Sequence, residues 1–404
     1  MRNKTARLHR CRLPRAVRAI VGIGAIWSST LAAPGAAAPA KAERPVLRPK
    51  VIVVVYFEVG KDTGDTPGEL QFWVERDHLD RVMNVPGMSR AVRATADGSE
   101  VAMAVGPGNI RPGVNLMAFG LDPEFDVRKS YWLINGIAGV SPKDVPLGSA
   151  IWTDYVVNGD LLHEIDAREI PNDWPNGFYG LDGSRPDDPP RAPPGSEEDV
   201  RSWPPDGARS NSNGAVARLN PALLRWAFEL THDMKLPETD LMRALGARYK
   251  DYPEAQQPPR VLVGANLAAE TFWHGAKMDE WAHRWVRSRT EGQARYASTA
   301  MNDSGAMAAL AALTRAGRTD WNRALVLRTA SNFDMQAPDE TAEQSANRER
   351  RGGYTAYEPA LESAYQVGSR VVKALIEGWK RYEEEIPSVG SFPAGSSSGG
   401  KSNH

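Results

Sequence analysis

The sequence predicts an α/β protein with a largely parallel sheet in one main domain. Apolar runs of strand length, rich in β-branched residues, alternate along the chain with segments whose apolar residues recur at three-four spacing. Several of the runs end in glycine or polar clusters, which is where ligands collect in sheets of parallel strands. The 404 residues, 41% hydrophobic and 25% charged, supply an ordinary globular balance and enough apolar side chains for a sizeable core.

Residues 1–40 stand apart. Arg2, Lys4, Arg7, Arg10, Arg12, Arg15 and Arg18 precede the apolar stretch AIVGIGAIWSSTLAA, and small residues follow up to Ala38-Pro39-Ala40. This pattern predicts a secretory signal peptide cleaved near Ala40, hence an exported, periplasmic or secreted chain. At roughly fifteen residues the apolar stretch is short of the ~20 that a spanning helix needs. Losing its seven basic residues takes the formal net charge from −1 to −8, which gives no attraction to nucleic acid. The sole cysteine, Cys11, falls in the same segment, so the mature chain has no disulfide, thiol nucleophile or thiolate metal site. No later stretch is apolar enough to span a membrane.

After a Pro-rich linker at 41–49, KVIVVVYF reads as a strand buried on both faces and ending at Glu58. EVAMAVGPG reads as strand and glycine turn, NLMAFGL as helix, and SYWLINGIAGV as a strand that gives way to a turn at Gly136 and Gly139. SAIWTDYVVNGD reads as a strand with alternating faces. Residues 180–213 are loaded with Pro, Gly, Asp and Ser and predict a surface insertion. LNPALLRWAFELTHDM and TDLMRALGARY are helical, RVLVGANL a strand, MDEWAHRWVRSR and SGAMAALAALTRAG helical, ALVLRTAS a strand, and ALESAYQVGSRVVKALIEGW a long amphipathic helix. The domain is taken as 50–384, and the Gly/Ser-rich residues 385–404 as a disordered tail.

YFEVGKDTGDTPGELQFW, INGIAGVSPKDVPLGSAIWTDYVVNGDLLHEIDAREIP and LVLRTASNFDM together resemble the purine nucleoside permease family across nearly the whole mature chain. That family is similar to the nucleoside phosphorylases and nucleosidases. The resemblance implies a three-layer fold with a mixed, largely parallel sheet of about eight strands flanked by helices. Its ligand would be a purine nucleoside, with phosphate or water as co-substrate, no cofactor and no metal, and it leaves a homo-oligomer open. VGPGNIRPGVN, with Gly106 and Gly108, and INGIAGV, with Gly136, Ile137 and Gly139, resemble the glycine turns at the phosphate or water site. Ile137 stands where a hydroxyl residue is expected. In AAETFWHG, Phe272 would stack on the base with Trp273 beside it. In TAMNDSG, Met301 fits the segment beneath the ribose, but its glutamate has become Asn302, with Asp303 next to it. RTASNF would bring Ser331 and Asn332 to the purine edge.

Cleaving an N-glycosidic bond requires a donor at the leaving base, a polar clamp on the ribose and a nucleophile opposite. The resemblance gives Asn332 the first task and Asp303, more than Asn302, the second. Glu58 or Glu69 would be the base that activates water. Ile137 removes a hydroxyl from the phosphate turn, which favours hydrolysis over phosphorolysis. Binding without turnover in nucleoside uptake, and a storage-type relative, stay open as rival classes. In HEIDAREIP, His163 is a single imidazole, so no metal site is expected there. Asp166 and Arg168 are placed at the pocket mouth. His274 and His283 are expected at the surface, and Arg328 and Asp334 carry no role.

Overall fold

In a computed structural model, residues 46–181, 183–188 and 216–390 are described. The predicted leader, linker residues 41–45, most of the 180–213 insertion and residues 391–404 of the tail lie outside the described residues.

The strands are β1 (Val51–Val55), β2 (Arg81–Met83), β3 (Val92–Ala94), β4 (Glu100–Ala104), β5 (Tyr131–Val140), β6 (Ala150–Asn158), β7 (Leu162–Glu164), β8 (Phe178–Gly180), β9 (Val216–Arg218), β10 (Val261–Ala268), β11 (Tyr296–Ala300) and β12 (Ala324–Phe333). The helices are α1 (Gln71–Arg76), α2 (Ile110–Leu121), α3 (Pro221–Thr231), α4 (Asp240–Gly246), α5 (Ala276–Arg289), α6 (Asp303–Arg315), α7 (Ala342–Gly352), α8 (Tyr357–Glu377) and α9 (Trp379–Tyr382). All strands but β7 and β8 join one mixed ten-stranded sheet, in the order β2-β3-β4-β1-β5-β12-β6-β10-β11, with β9 on β6. The class and mixed sheet agree with the sequence reading. The additional strands are short ones such as β2, β3 and β9, whose three residues are too few to show a period.

The run VIVVV makes the sheet three-layered because its side chains alternate between two cores. Val51, Val53 and Val55 pack with α3 and α8 residues such as Trp226 and Val371, while Ile52 and Val54 pack with Phe119 of α2 and Leu310 of α6. A further apolar cluster seats α5, through Trp281 and Trp285, against β10 and β11.

The site arises from a fork in the sheet. β1 pairs with β5 only over Tyr131–Ile134, and on β5 the antiparallel contact with β11 begins at Gly139 and Val140. Between these contacts one edge of β5 faces a gap rather than a strand. On its other edge, β12 runs parallel to β5 from Ala324 to Phe333. The predicted turn at Gly136 and Gly139 is therefore a continuous ten-residue strand. Its glycines serve close approach: a Cβ at Gly136 would collide with the Glu69 carboxylate and the Arg328 guanidinium. β6 also departs from alternation. Seven of its nine residues are buried, because β12 and β10 flank it and helices cover the sheet. No helix among the described residues is long and apolar enough to cross a membrane.

Candidate functional site

The gap at the fork holds a cavity of about 140 Å3. It brings together the predicted Glu69, Ile137, Gly139, Phe272, Trp273, Met301, Asn302 and Asn332, and adds Tyr56, Thr299, Arg328, Asp334 and Tyr354. Glu58, Gly106, Gly108, Gly136, Asp303 and Ser331 are not part of its lining.

The two candidate bases divide cleanly. Glu58 accepts backbone N–H bonds from Val59, Gly68, Leu70 and Gln71. Both of its oxygens are occupied in closing the loop onto the start of α1, so Glu58 is corrected to a helix-capping residue. Glu69 answers the fork. Its Oε2 accepts from the N–H groups of Tyr56 at 2.8 Å and Phe57 at 3.4 Å, and its Oε1 from that of Ile137 at 2.8 Å. These are the backbone donors that the diverging strands leave unpaired. Burial pushes the Glu69 pKa up to about 7, against the opposing pull of Arg328 and the three N–H donors. Ile137 thus contributes its main chain, and its missing hydroxyl does not empty this position.

Asp303 does not reach the cavity, and its ribose role is corrected. Arg328 binds it through Nε at 3.0 Å and through Nη2, while Tyr56 Oη and Asn266 Nδ2 each donate to it at 2.6 Å. Arg328 is 1% exposed and also lies over the Tyr56 ring at 4.7 Å. Asp303 is the first residue of α6 rather than its N-cap, and the buried Arg328 holds it inward. The cap position falls to Asn302, whose side chain makes no capping bond, and Asn109 Oδ1 accepts the Gly305 N–H instead. Met301 and Asn302 therefore face the cavity where the Met-Glu segment was expected.

The opposite wall ends β12. Ser331 Oγ lies 3.1 Å from Ala138 O and 2.9 Å from Asn332 Oδ1, so Ser331 orients the amide from behind the wall. Asn332 Nδ2 donates to Phe333 O at 3.2 Å and keeps its second N–H. Asp334, two residues on, is 1% exposed and accepts a bond from Tyr296 Oη. Burial and the nearby Asp279 raise its pKa well above the usual carboxylate range. Tyr56, Thr299, Arg328, Asp334 and Tyr354 are lining residues that sequence reasoning missed. For Arg328 and Asp334 the signal was the polar finish of the apolar run ALVL, which the structure makes a strand buried along its whole length.

Phe272 is 50% exposed at the rim, with its ring 12° from parallel to that of Tyr354 and the centroids 6.3 Å apart. Trp273 lies mainly in the core, packed on Trp281 and Tyr296. Gly106 and Gly108, at φ +90° and +83°, form the turn that brings Pro107 to the cavity. Asp166 and Arg168 bond each other on the exposed surface, away from the cavity. His274 and His283, expected at the surface, are half-buried, because the α5 end of the molecule packs them inward. Burial lowers the His274 pKa to about 4, and His283 bonds Asp144 at 2.6 Å.

The family model described as "Purine nucleoside permease (NUP)" matches residues 48–387. A probable purine nucleoside permease of Schizosaccharomyces pombe is 25% identical over 342 residues, 83% of this chain and 92% of its own length. A purine nucleoside permease of Candida albicans is 23% identical over 348 residues, covering 84% and 78%. Among solved structures, futalosine hydrolase of Helicobacter pylori has a TM-score of 0.45 at 12% identity, covering 81% of this chain and 98% of its own. A 5'-methylthioadenosine/S-adenosylhomocysteine nucleosidase from S. pneumoniae has a TM-score of 0.46 at 13% identity, covering 81% and 100%.

Proposed function

Because the chain belongs to the purine nucleoside permease family, we propose that its cavity binds a purine nucleoside and hydrolyses the N-glycosidic bond, with Glu69 as the base. The observation that carries this reading is the Glu69 carboxyl, set in the cavity wall beside Arg328 with a pKa of about 7. A base with that pKa is half-ionised near neutral pH and can take a proton from water. The water oxygen bonds to C1' of the ribose, the C1'–N9 bond breaks with its electron pair going to the purine, and the water proton passes to Glu69. Asn302 and Met301 meet the sugar, Phe272 and Tyr354 stack at the rim, and Asn332 bonds the base edge.

Water fits this site better than phosphate. Among the described residues that line the cavity, Arg328 is the one cation, and two of its nitrogens are bonded to Asp303. A phosphate dianion would also face Glu69. A second reading, nucleoside binding without turnover in uptake, is favoured by Asn302, a neutral amide where a carboxylate would stabilise charge on the ribose. Export after cleavage near Ala40 belongs to either reading, and N-terminal sequencing of the mature protein tests it.

The decisive experiment incubates the protein with inosine, guanosine and adenosine, with and without phosphate, and measures free base and ribose 1-phosphate. Base release that ignores phosphate is the expected result. Strict phosphate dependence would replace hydrolysis by phosphorolysis, and binding without release would leave the uptake reading.

A further inference from the structure

The chain departs from the end of β1 at Glu58 and returns at Gly68, and residues 59–67 between them form a mostly exposed excursion. The neck of this excursion is narrow. A Cβ at Gly68 would lie 2.7 Å from Glu58 Cα, so the returning chain approaches closely enough to require glycine.

Two carboxylates are exchanged across the neck. Glu69, on the returning side, accepts from the N–H groups of Tyr56 and Phe57, and its own N–H donates to Phe57 O at 3.0 Å. Glu58, on the departing side, accepts from the Gly68 N–H through Oε1, and from those of Leu70 and Gln71 through Oε2 at 2.8 and 2.7 Å. Gly68 and Leu70 are the direct neighbours of Glu69 in the chain. Glu58 therefore fixes the backbone on both sides of Glu69, and with it the direction in which that carboxyl enters the cavity wall.

The two carboxylates differ in what they can spare. Glu69 lines the cavity and, as the base, takes up a proton, which turns an acceptor-only group into one that also carries a donor. Its hold on the strand-end N–H groups weakens at that moment. Glu58 does not line the cavity, and its bonds do not depend on the proton. The excursion itself is fastened by other groups: Asp62 accepts from Arg90 at 2.6 Å, and the Gly64 N–H donates to Glu75 at 2.8 Å. We propose that Glu58 is the positioning residue of the site. It acts through Glu69, holding the chain on either side of the base so that the carboxyl stays in the cavity wall throughout proton transfer. The inference rests on the hydrolytic reading of the cavity and adds the residue that aims its base.

A double-mutant cycle tests it, with inosine as substrate and calorimetric affinity of the full chain for hypoxanthine, the base of inosine, as the measure of an intact pocket. Glu58→Ala should lower kcat by about 10- to 100-fold, as a displaced catalytic group does, with KM and the hypoxanthine Kd within about threefold of wild type. In the Glu69→Gln background the same substitution should change kcat by less than about twofold, because no base is left to aim. A merely structural role would lower the rate by the same factor in both backgrounds, and that result overturns the proposal. Asp62→Ala, which loosens the excursion but not its neck, should leave kcat within about twofold of wild type. A loss equal to that of Glu58→Ala would make order in the excursion the cause, and overturns the proposal too. If Glu58→Ala does not fold, Glu58→Gln, which keeps one of the two acceptor oxygens, replaces it in the cycle and should give a smaller loss in the same pattern. Base release at the wild-type rate in the Glu58 variant overturns this inference alone, whereas no base release from the unaltered protein overturns the hydrolytic reading and this one together.

Discussion

Behind the cavity wall, where β1, α6 and the middle of β12 meet, the Asp303 carboxylate meets four donors, from Arg328 twice, Tyr56 and Asn266. On the wall built from β11 and the end of β12, the Asp334 carboxyl meets one, from Tyr296. Both residues are almost wholly buried, at 0% and 1% exposure. Burial alone therefore does not decide how a carboxyl behaves; the donors folded around it do. The first is held as an ion pair and braces an arginine against the cavity. The second is pushed by burial and the nearby Asp279 toward its neutral form. Glu69 lies between these limits, with three backbone donors and a pKa of about 7, and that intermediate position suits it to exchange protons.

The sharpest way to break the comparison is at its midpoint. Glu69→Gln keeps one acceptor oxygen, enough for the Tyr56 and Phe57 N–H groups, but cannot take a proton, so base release should fall by about 10²- to 10⁴-fold with hypoxanthine affinity retained. Loss of binding along with rate would make Glu69 structural. Next, Asp303→Asn leaves the buried Arg328 without its counter-ion and should cost about 3–5 kcal/mol, read from the urea midpoint at neutral pH. A stability close to wild type would mean the ion pair is dispensable.

Titration separates the walls further. Glu69 is raised from 4.5 to about 7, so between those values the folded chain binds more protons than the unfolded one. Stability from this group is greatest below pH 4.5 and declines by about 3 kcal/mol as pH rises through 7, a slope that Glu69→Gln should remove. Turnover runs the other way, rising with pH toward a plateau above 7, because only the ionised carboxylate accepts a proton. Phe272→Ala should weaken base binding by about 1–3 kcal/mol, measured calorimetrically, through the lost stacking surface. The smallest effect is expected for Asp334→Asn, at or below about 1 kcal/mol in stability, since a neutral acid is exchanged for a neutral amide. A loss as large as that of Asp303→Asn would show that Asp334 is ionised and the contrast false.

Much of this arrangement was legible in the chain. VIVVV, LVLRTASNF and the amphipathic ALESAYQVGSRVVKAL specify β1, β12 and α8, because apolar periodicity is a local property that burial converts directly into structure. The segments around Ile137, Phe272, Met301 and Asn332 could be picked out, and they converge on one cavity. Shorter elements escaped: YASTA, which closes the sheet onto β5 as β11, carries too few large apolar residues to stand out.

Sequence by itself determined the α/β alternation, the family and the strand ends at which a ligand would sit. It offered Glu58, at the end of the first strand, and Glu69 as candidate bases with nothing to choose between them. Only the tertiary structure decided that Glu58 caps a helix while Glu69 fills the fork, that Asp303 belongs to Arg328 rather than to a ligand, and that Gly136 lies within a strand. The physical reason is one of range. Burial patterns are written in neighbouring residues, but the state of a carboxyl depends on which donors and charges distant segments bring within a few ångströms. For Asp334 those are Lys143 and His283, paired with Asp279 and Asp144, and Tyr296, whose hydroxyl donates to it.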